Sequence, residues 1–247
     1  MPFAINHHKM YIDYLTINWD RIEDCSYLRT IPSLQGLDRL EFRSPVTYFV
    51  GENGSGKSTL LEAIAIAYGF NPEGGSYNYR FSTYDDYSDL AGAMTLGRGI
   101  VGRSYGYFLR AESFYNASTK LIEYERALGR PMYGNKTLHD QSHGESFLSF
   151  ILAYKRRGLF IMDEPEAALS PNRQLTLFSH IAQMVEKGSQ FIVVSHSPIL
   201  LGFPGADILC FDGETLHPQE YRDTESYRIT ELFINHGEQI IKELMNP

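Results

Sequence analysis

Cysteine is scarce in this chain. Cys25 and Cys210 are its two cysteines, far apart and without a CxxC or CxxH neighbour. That pattern supports neither a disulfide framework nor a zinc site, and it predicts two free, buried thiols. Long apolar runs are also missing. No stretch approaches the roughly 20 apolar residues of a membrane span, and the opening "MPFAINHHKMYIDYL" lacks an extended apolar core with a small-residue cleavage site. A cytoplasmic location with no integral membrane segment is expected. Positive charge is outnumbered: 22 Lys and Arg stand against 30 Asp and Glu, for a formal net charge of -8. This excludes a chain that is basic all over, while local patches can still meet nucleic acid. Internal repeats, low-complexity tracts and heptad runs are absent too, which removes solenoids and long coiled coils.

What is present is the composition of a globular domain. With 43% hydrophobic residues over 247 positions the chain can bury a substantial core, and residues 1–247 read as a single folding unit. The segment "VTYFVGENGSGKSTLLEAIAIAYGF" passes from a β-rich apolar run through a glycine loop into a helix. "GLFIMDEP" and "QFIVVSHSP" are nearly continuous in hydrophobicity, as strands covered on both faces are, and a helical pattern over 172–187 separates them. "ADILCFDG" adds a strand, and 224–245 reads as one helix or two, broken near Gly237. Strands alternating with helices predict an α/β fold with a mostly parallel central sheet.

The chemistry gathers where these strands end. "GENGSGKS", comprising Gly51, Glu52, Asn53, Gly54, Ser55, Gly56, Lys57 and Ser58 and followed by Thr59, matches G-x-x-x-x-G-K-[ST] in the required strand-to-helix setting. Backbone N–H groups of such a loop converge on phosphate oxygens, and the following helix N-terminus adds a favourable dipole. Lys57 is placed to reach the β- and γ-phosphates of ATP, and the Ser58 hydroxyl to ligate Mg²⁺. Asp163 and Glu164 end the strand of "LFIMDEPE", where α/β proteins collect ligand groups. Asp163 is a candidate Mg²⁺ ligand, and Glu164 a candidate catalytic group that polarises the attacking water. Successive strand residues face opposite ways, so both can serve one site only because the chain is turning there. His196 in "VVSHSP" follows the next strand, where an imidazole can hydrogen-bond a γ-phosphate.

In this order the residues resemble the ABC ATPase superfamily. "GENGSGKS" looks like its Walker A motif, "LFIMDE" like Walker B, "AALSP" like the D-loop, and "SH" at 195–196 like the switch histidine. "SHGES", with Ser142, His143, Gly144 and Glu145, then falls where the signature motif belongs. The resemblance implies an ABC-type P-loop NTPase with a small helical lobe, at about 112–157, that carries this motif. It also implies an ATP-dependent, head-to-tail homodimer in which the signature residues act in trans on the partner's γ-phosphate. Two departures matter. The signature lacks the Gly-Gly-Gln ending usual in transporter subunits, and Glu112 stands at the Q-loop position. Both features, with the phrasing "FVGENGSGKSTLLEAI", look more like the soluble branch related to RecF and the structural-maintenance-of-chromosomes proteins. Only about thirty residues separate Glu112 from Ser142, which excludes coiled-coil arms. The function implied is ATP hydrolysis that switches a DNA or protein partner; the alternative is the nucleotide-binding subunit of a membrane transporter.

Other features carry less. "GRGIVG" at 97–102 matches G-x-G-x-x-G but is followed by "RSYGYF" rather than a helix, and it reads as a loop. His7 and His8 read as a solvated tail, "SYNYRFSTYDDY" as half-buried strands, and Lys155, Arg156 and Arg157 as a charged helix C-terminus. Arg29 stands where related ATPases place base- or phosphate-contacting arginines.

Overall fold

The computed structural model describes residues 10–72, 74–76, 89–99, 105–110, 143–213 and 215–245. Its strands are β1 (Tyr14–Ile17), β2 (Arg39–Glu41), β3 (Val46–Gly51), β4 (Gly75–Ser76), β5 (Met94–Gly97), β6 (Gly106–Arg110), β7 (Leu159–Asp163), β8 (Gln190–Val194), β9 (Asp207–Phe211) and β10 (Leu216–Pro218). Its α-helices are α1 (Lys57–Tyr68), α2 (Asp89–Ala93), α3 (His143–Ala153), α4 (Pro171–Glu186), α5 (Pro198–Leu201) and α6 (Glu225–Met245).

A seven-stranded sheet runs in the order β10-β9-β3-β8-β7-β6-β4. The five strands from β9 to β6 pair in parallel, and the two edge strands β10 and β4 pair antiparallel to their neighbours. The expected mostly parallel α/β sheet is therefore present. Its strands are apolar on both faces because both faces are covered. Phe49, Ile161, Ile192 and Phe211 face one core with Leu60, Leu61 and Ile64 of α1, whereas Tyr48, Phe160, Met162 and Val193 face another with Phe147 and Phe150 of α3 and Leu177 and Ile181 of α4.

A second, antiparallel sheet, in the order β2-β1-β5, packs into the α1 core through Leu15, Ile17, Leu40 and Met94. A buried side chain ties the residues before this small sheet to the large one. The Gln190 side-chain oxygen accepts hydrogen bonds from the Tyr11 and Ile12 N–H groups, and its amide nitrogen donates to the Ile12 carbonyl, all at 2.9 Å.

Helix ends follow local chemistry. Helix α1 stops at Gly69, whose φ of +111° suits glycine and lets its N–H reach the Ala65 and Ile66 carbonyls. Pro171 opens α4 immediately after Ser170. Helix α6 is kinked at His236 (φ -134°), one residue before the glycine at which a break was expected, and it buries no residue.

Two expectations need correction. Cys210 is buried, but Cys25 is exposed; it lies in the turn region between two short 3-10 helices, with its thiol 3.6 Å from a Glu23 carboxylate oxygen. Lys155, Arg156 and Arg157 lie just beyond α3, which ends at Ala153, rather than in its last turn. "SYNYRFSTYDDY" beyond Ser76, His7 and His8, and most of the expected lobe at 112–157 lie outside the described residues.

Candidate nucleotide-binding and hydrolysis site

Register brings the functional strand ends together. Phe49 of β3 pairs with Val194 of β8, and Val194 pairs with Asp163 of β7, so three strands finish in one row at their carboxyl ends. The glycine loop leaves the first strand, the acidic pair the third, and His196 the middle one.

The loop conformation is one that its glycines permit. Gly54 and Gly56 have φ of +81° and +96°, values that side-chain-bearing residues adopt only with strain. A Cβ on Gly51 (φ +134°) would sit 2.2 Å from the Phe211 carbonyl oxygen, so β9 leaves no room for one there. Lys57 is buried and curls back over the loop, its ammonium donating to the Gly51 carbonyl at 2.8 Å and the Glu52 carbonyl at 2.5 Å. Burial lowers its pKa, and the nearby carboxylates of Glu164 and Asp163 oppose that shift. An approaching phosphate would add to the counter-charge those carboxylates supply. The Ser33 hydroxyl donates to the Ser55 carbonyl and pins the loop to the segment before β2.

The Ser58 hydroxyl donates to Asp163 Oδ1 at 3.1 Å across a sequence separation of 105 residues. One hydroxyl and one carboxylate form the hard-oxygen donor set that suits Mg²⁺, which keeps waters and takes phosphate oxygens for its remaining positions. The residues present therefore fit the ion.

Glu164 answers how two adjacent strand residues reach one site. Its φ is +47°, the one positive value among described non-glycine residues. The chain swings into the left-handed region there, so Glu164 turns toward the loop after β8 while its N–H stays bonded to the Val194 carbonyl at 3.0 Å. Its carboxylate stands 3.7 Å from His196 Nε2, and both side chains are a little over 40% exposed, open to water and to a nucleotide. A cleft of about 1290 Å³ borders this edge, lined by Gly51, Glu52, His196 and Asp212 and by Arg228 and His236 of α6.

The remaining candidates divide. Ser142 and Glu112 lie outside the described residues, and His143 and Gly144 form the first turn of α3. Glu145 in that turn pairs with Arg173 of α4 at 3.0 Å, which ties α3 to the helix following "AALSP". Arg29 spends its guanidinium on the backbone: it donates to the Trp19, Ile22 and Glu23 carbonyls and holds its own segment together.

Sequence reasoning missed Glu166. Its Oε1 accepts from the Ser195 hydroxyl at 2.9 Å and from the backbone N–H groups of His196 at 2.5 Å and Ser197 at 3.2 Å. Two acids already explained "DEPE" there, and nothing local in the sequence marks the third as facing inward.

A glycine loop between strand and helix, a hydroxyl–carboxylate pair at its base and an acid beside an imidazole define a P-loop ATPase. Comparison with known proteins places the chain more closely. It belongs to the family described as "AAA domain, putative AbiEii toxin, Type IV TA system", whose model matches residues 71–202. A second AAA domain model matches residues 27–95. The chain is 30% identical over 174 residues to the tungstate uptake system ATP-binding protein TupC of Peptoclostridium acidaminophilum, covering 65% of this chain and 79% of that one. It is 25% identical over 203 residues to a putative ribose/galactose/methyl galactoside import ATP-binding protein of Rhizobium etli, covering 71% of this chain but only 38% of the relative. The structural-maintenance-of-chromosomes head domain of Thermotoga maritima shares 15% identity with a TM-score of 0.48, over 85% of this chain and all of that one. The chain is a nucleotide-binding domain of the ABC ATPase type.

Proposed function

We propose that the protein binds Mg-ATP at the loop Gly51–Thr59, dimerises head-to-tail around two ATP molecules, and hydrolyses them to switch a nucleic-acid or protein partner. One observation carries the hydrolytic part. The Ser58–Asp163 contact of 3.1 Å and the Glu164–His196 contact of 3.7 Å lie at the ends of neighbouring parallel strands, beside the Lys57 ammonium. In this reading Lys57 and the loop amides hold the β- and γ-phosphates, and Ser58 and Asp163 hold Mg²⁺. The bound ion supplies charge neutralisation at the phosphates. Glu164 orients and polarises the attacking water, and His196 hydrogen-bonds the γ-phosphate and Glu164 together. Ser142 and Gly144 of the second copy complete the site from the far side, and Glu112 takes the Q-loop position.

The import ATP-binding proteins among the relatives support a second reading, a nucleotide-binding subunit acting with a membrane partner. The absence of the Q-loop glutamine favours the first. The test is ATP turnover by the wild type and by Lys57→Ala, with and without a short DNA duplex. Hydrolysis that is lost with Lys57→Ala and changed by DNA supports the proposal. Turnover equal in both proteins removes the loop assignment, and turnover indifferent to DNA shifts weight to a protein or membrane partner.

A further inference from the structure

The buried carboxyl group of Glu166 belongs to no step above, yet it is among the most heavily bonded side chains near the site. Its Oε1 gathers three donors from consecutive residues, the Ser195 hydroxyl and the N–H groups of His196 and Ser197, at 2.9, 2.5 and 3.2 Å. Ser197 in turn caps α5, accepting from the Ile199 and Leu200 N–H groups, and its hydroxyl donates to Gln174 of α4 at 2.6 Å. Gln174 closes the circuit by donating to the Leu169 carbonyl at 3.0 Å. The turn after β7 and the loop after β8 are thereby joined into one unit, and Glu164 and His196 stand on its two halves.

We infer that Glu166 is a positioning residue for hydrolysis, fixing the backbone of His196 so that its imidazole meets Glu164 across the site. The physical argument is one of freedom removed. His196 is an exposed side chain at the end of a strand, and without a tether at its own N–H the loop has several backbone settings. A carboxyl oxygen accepting from two successive N–H groups and a hydroxyl allows one. The chemistry this serves needs the imidazole placed to a fraction of an ångström, because displacements near 1 Å cost on the order of 100-fold in rate. The arrangement is also costly enough to need a reason. Burial raises the Glu166 pKa, with its hydrogen bonds pulling the other way, and Oε2 is buried without a hydrogen-bond partner among the described residues. The three donors on Oε1 offset that cost, and all three lie on the loop that carries His196.

The inference rests on the hydrolysis reading for its kinetic arm alone. In that arm, ATP turnover is measured for the wild type, Glu166→Ala, Glu166→Gln, His196→Ala and the Glu166→Ala/His196→Ala double variant. Glu166→Ala is expected to lower kcat about 10-fold or more with KM within about 2-fold, and Glu166→Gln, which keeps an acceptor oxygen, to recover most of the loss. In the His196→Ala background, Glu166→Ala should cost less than about 2-fold, because residues acting through one another are not additive. Should the alanine variant not fold, Glu166→Asp, one methylene too short to reach the same donors, reads the same split. Unchanged kcat, or a full multiplicative loss in the double variant, overturns the inference. The second arm needs no turnover: the ¹⁵N resonances of the His196 imidazole are compared between wild type and Glu166→Gln or Glu166→Asp without nucleotide. A shift supports positioning, and identical resonances overturn it. A wild type no more active than Lys57→Ala would remove the hydrolysis reading, and the imidazole comparison would still decide the role of Glu166.

Discussion

Position 164 lets backbone strain and chemistry be separated by two substitutions that remove the same carboxylate. Glu164 has φ +47°. A left-handed setting costs a residue with a Cβ about 1–2 kcal/mol, and glycine nothing. Against that, glycine loses about 0.5–1 kcal/mol relative to alanine through the freedom of its unfolded chain. Glu164→Gly should therefore be more stable than Glu164→Ala by about 0.5–1 kcal/mol, the reverse of the usual order in helices and strands. The lost side chain itself contributes little to stability, since its contact with His196 is 3.7 Å long and both groups are well exposed. Both variants should nonetheless lose about 10²- to 10⁴-fold in ATP turnover, the usual contribution of a positioned base. Urea denaturation of the two variants, paired with steady-state turnover, makes the test. An alanine variant as stable as the glycine variant or more so would refute the strain argument. Full turnover in either would refute the role of Glu164.

Other expectations follow from the same geometry. Gln190→Leu keeps the volume but leaves the buried N–H groups of Tyr11 and Ile12 and the Ile12 carbonyl without their partner. A loss of about 3–6 kcal/mol is expected in urea unfolding, and a loss below about 1 kcal/mol would mean that water replaces the amide. Thiol labelling should separate the cysteines: exposed Cys25 reacts first, and Cys210, whose pKa is raised chiefly by burial, reacts slowly and faster as pH climbs toward that raised value. Equal rates at neutral pH would contradict the burial of Cys210.

Much of the large sheet was readable because its strands are covered on both faces. Such strands appear as continuous apolar runs, and β3, β7, β8 and β9 each do. The glycine loop between β3 and α1 and the acids that end β7 stood out because residue type, spacing and the strand-to-helix setting are all local. The small sheet was not, since β1, β2 and β5 are three or four residues long and β1 pairs with β5 some eighty positions away. Glu166 was hidden for a related reason: its partners lie about thirty residues downstream, and only the fold brings them to it. Cys25 misled because cysteine is usually buried, a tendency that a turn between two short 3-10 helices overrides.

The central claim is that ATP joins two copies of this chain and is cleaved between them. The most direct test is the solution mass of Glu164→Gln by light scattering, in Mg-ATP and in Mg-ADP. The account predicts twice the monomer mass with Mg-ATP and the monomer mass with Mg-ADP, because the variant holds the nucleotide it cannot cleave. A monomer in both conditions, with ATP bound, would contradict it.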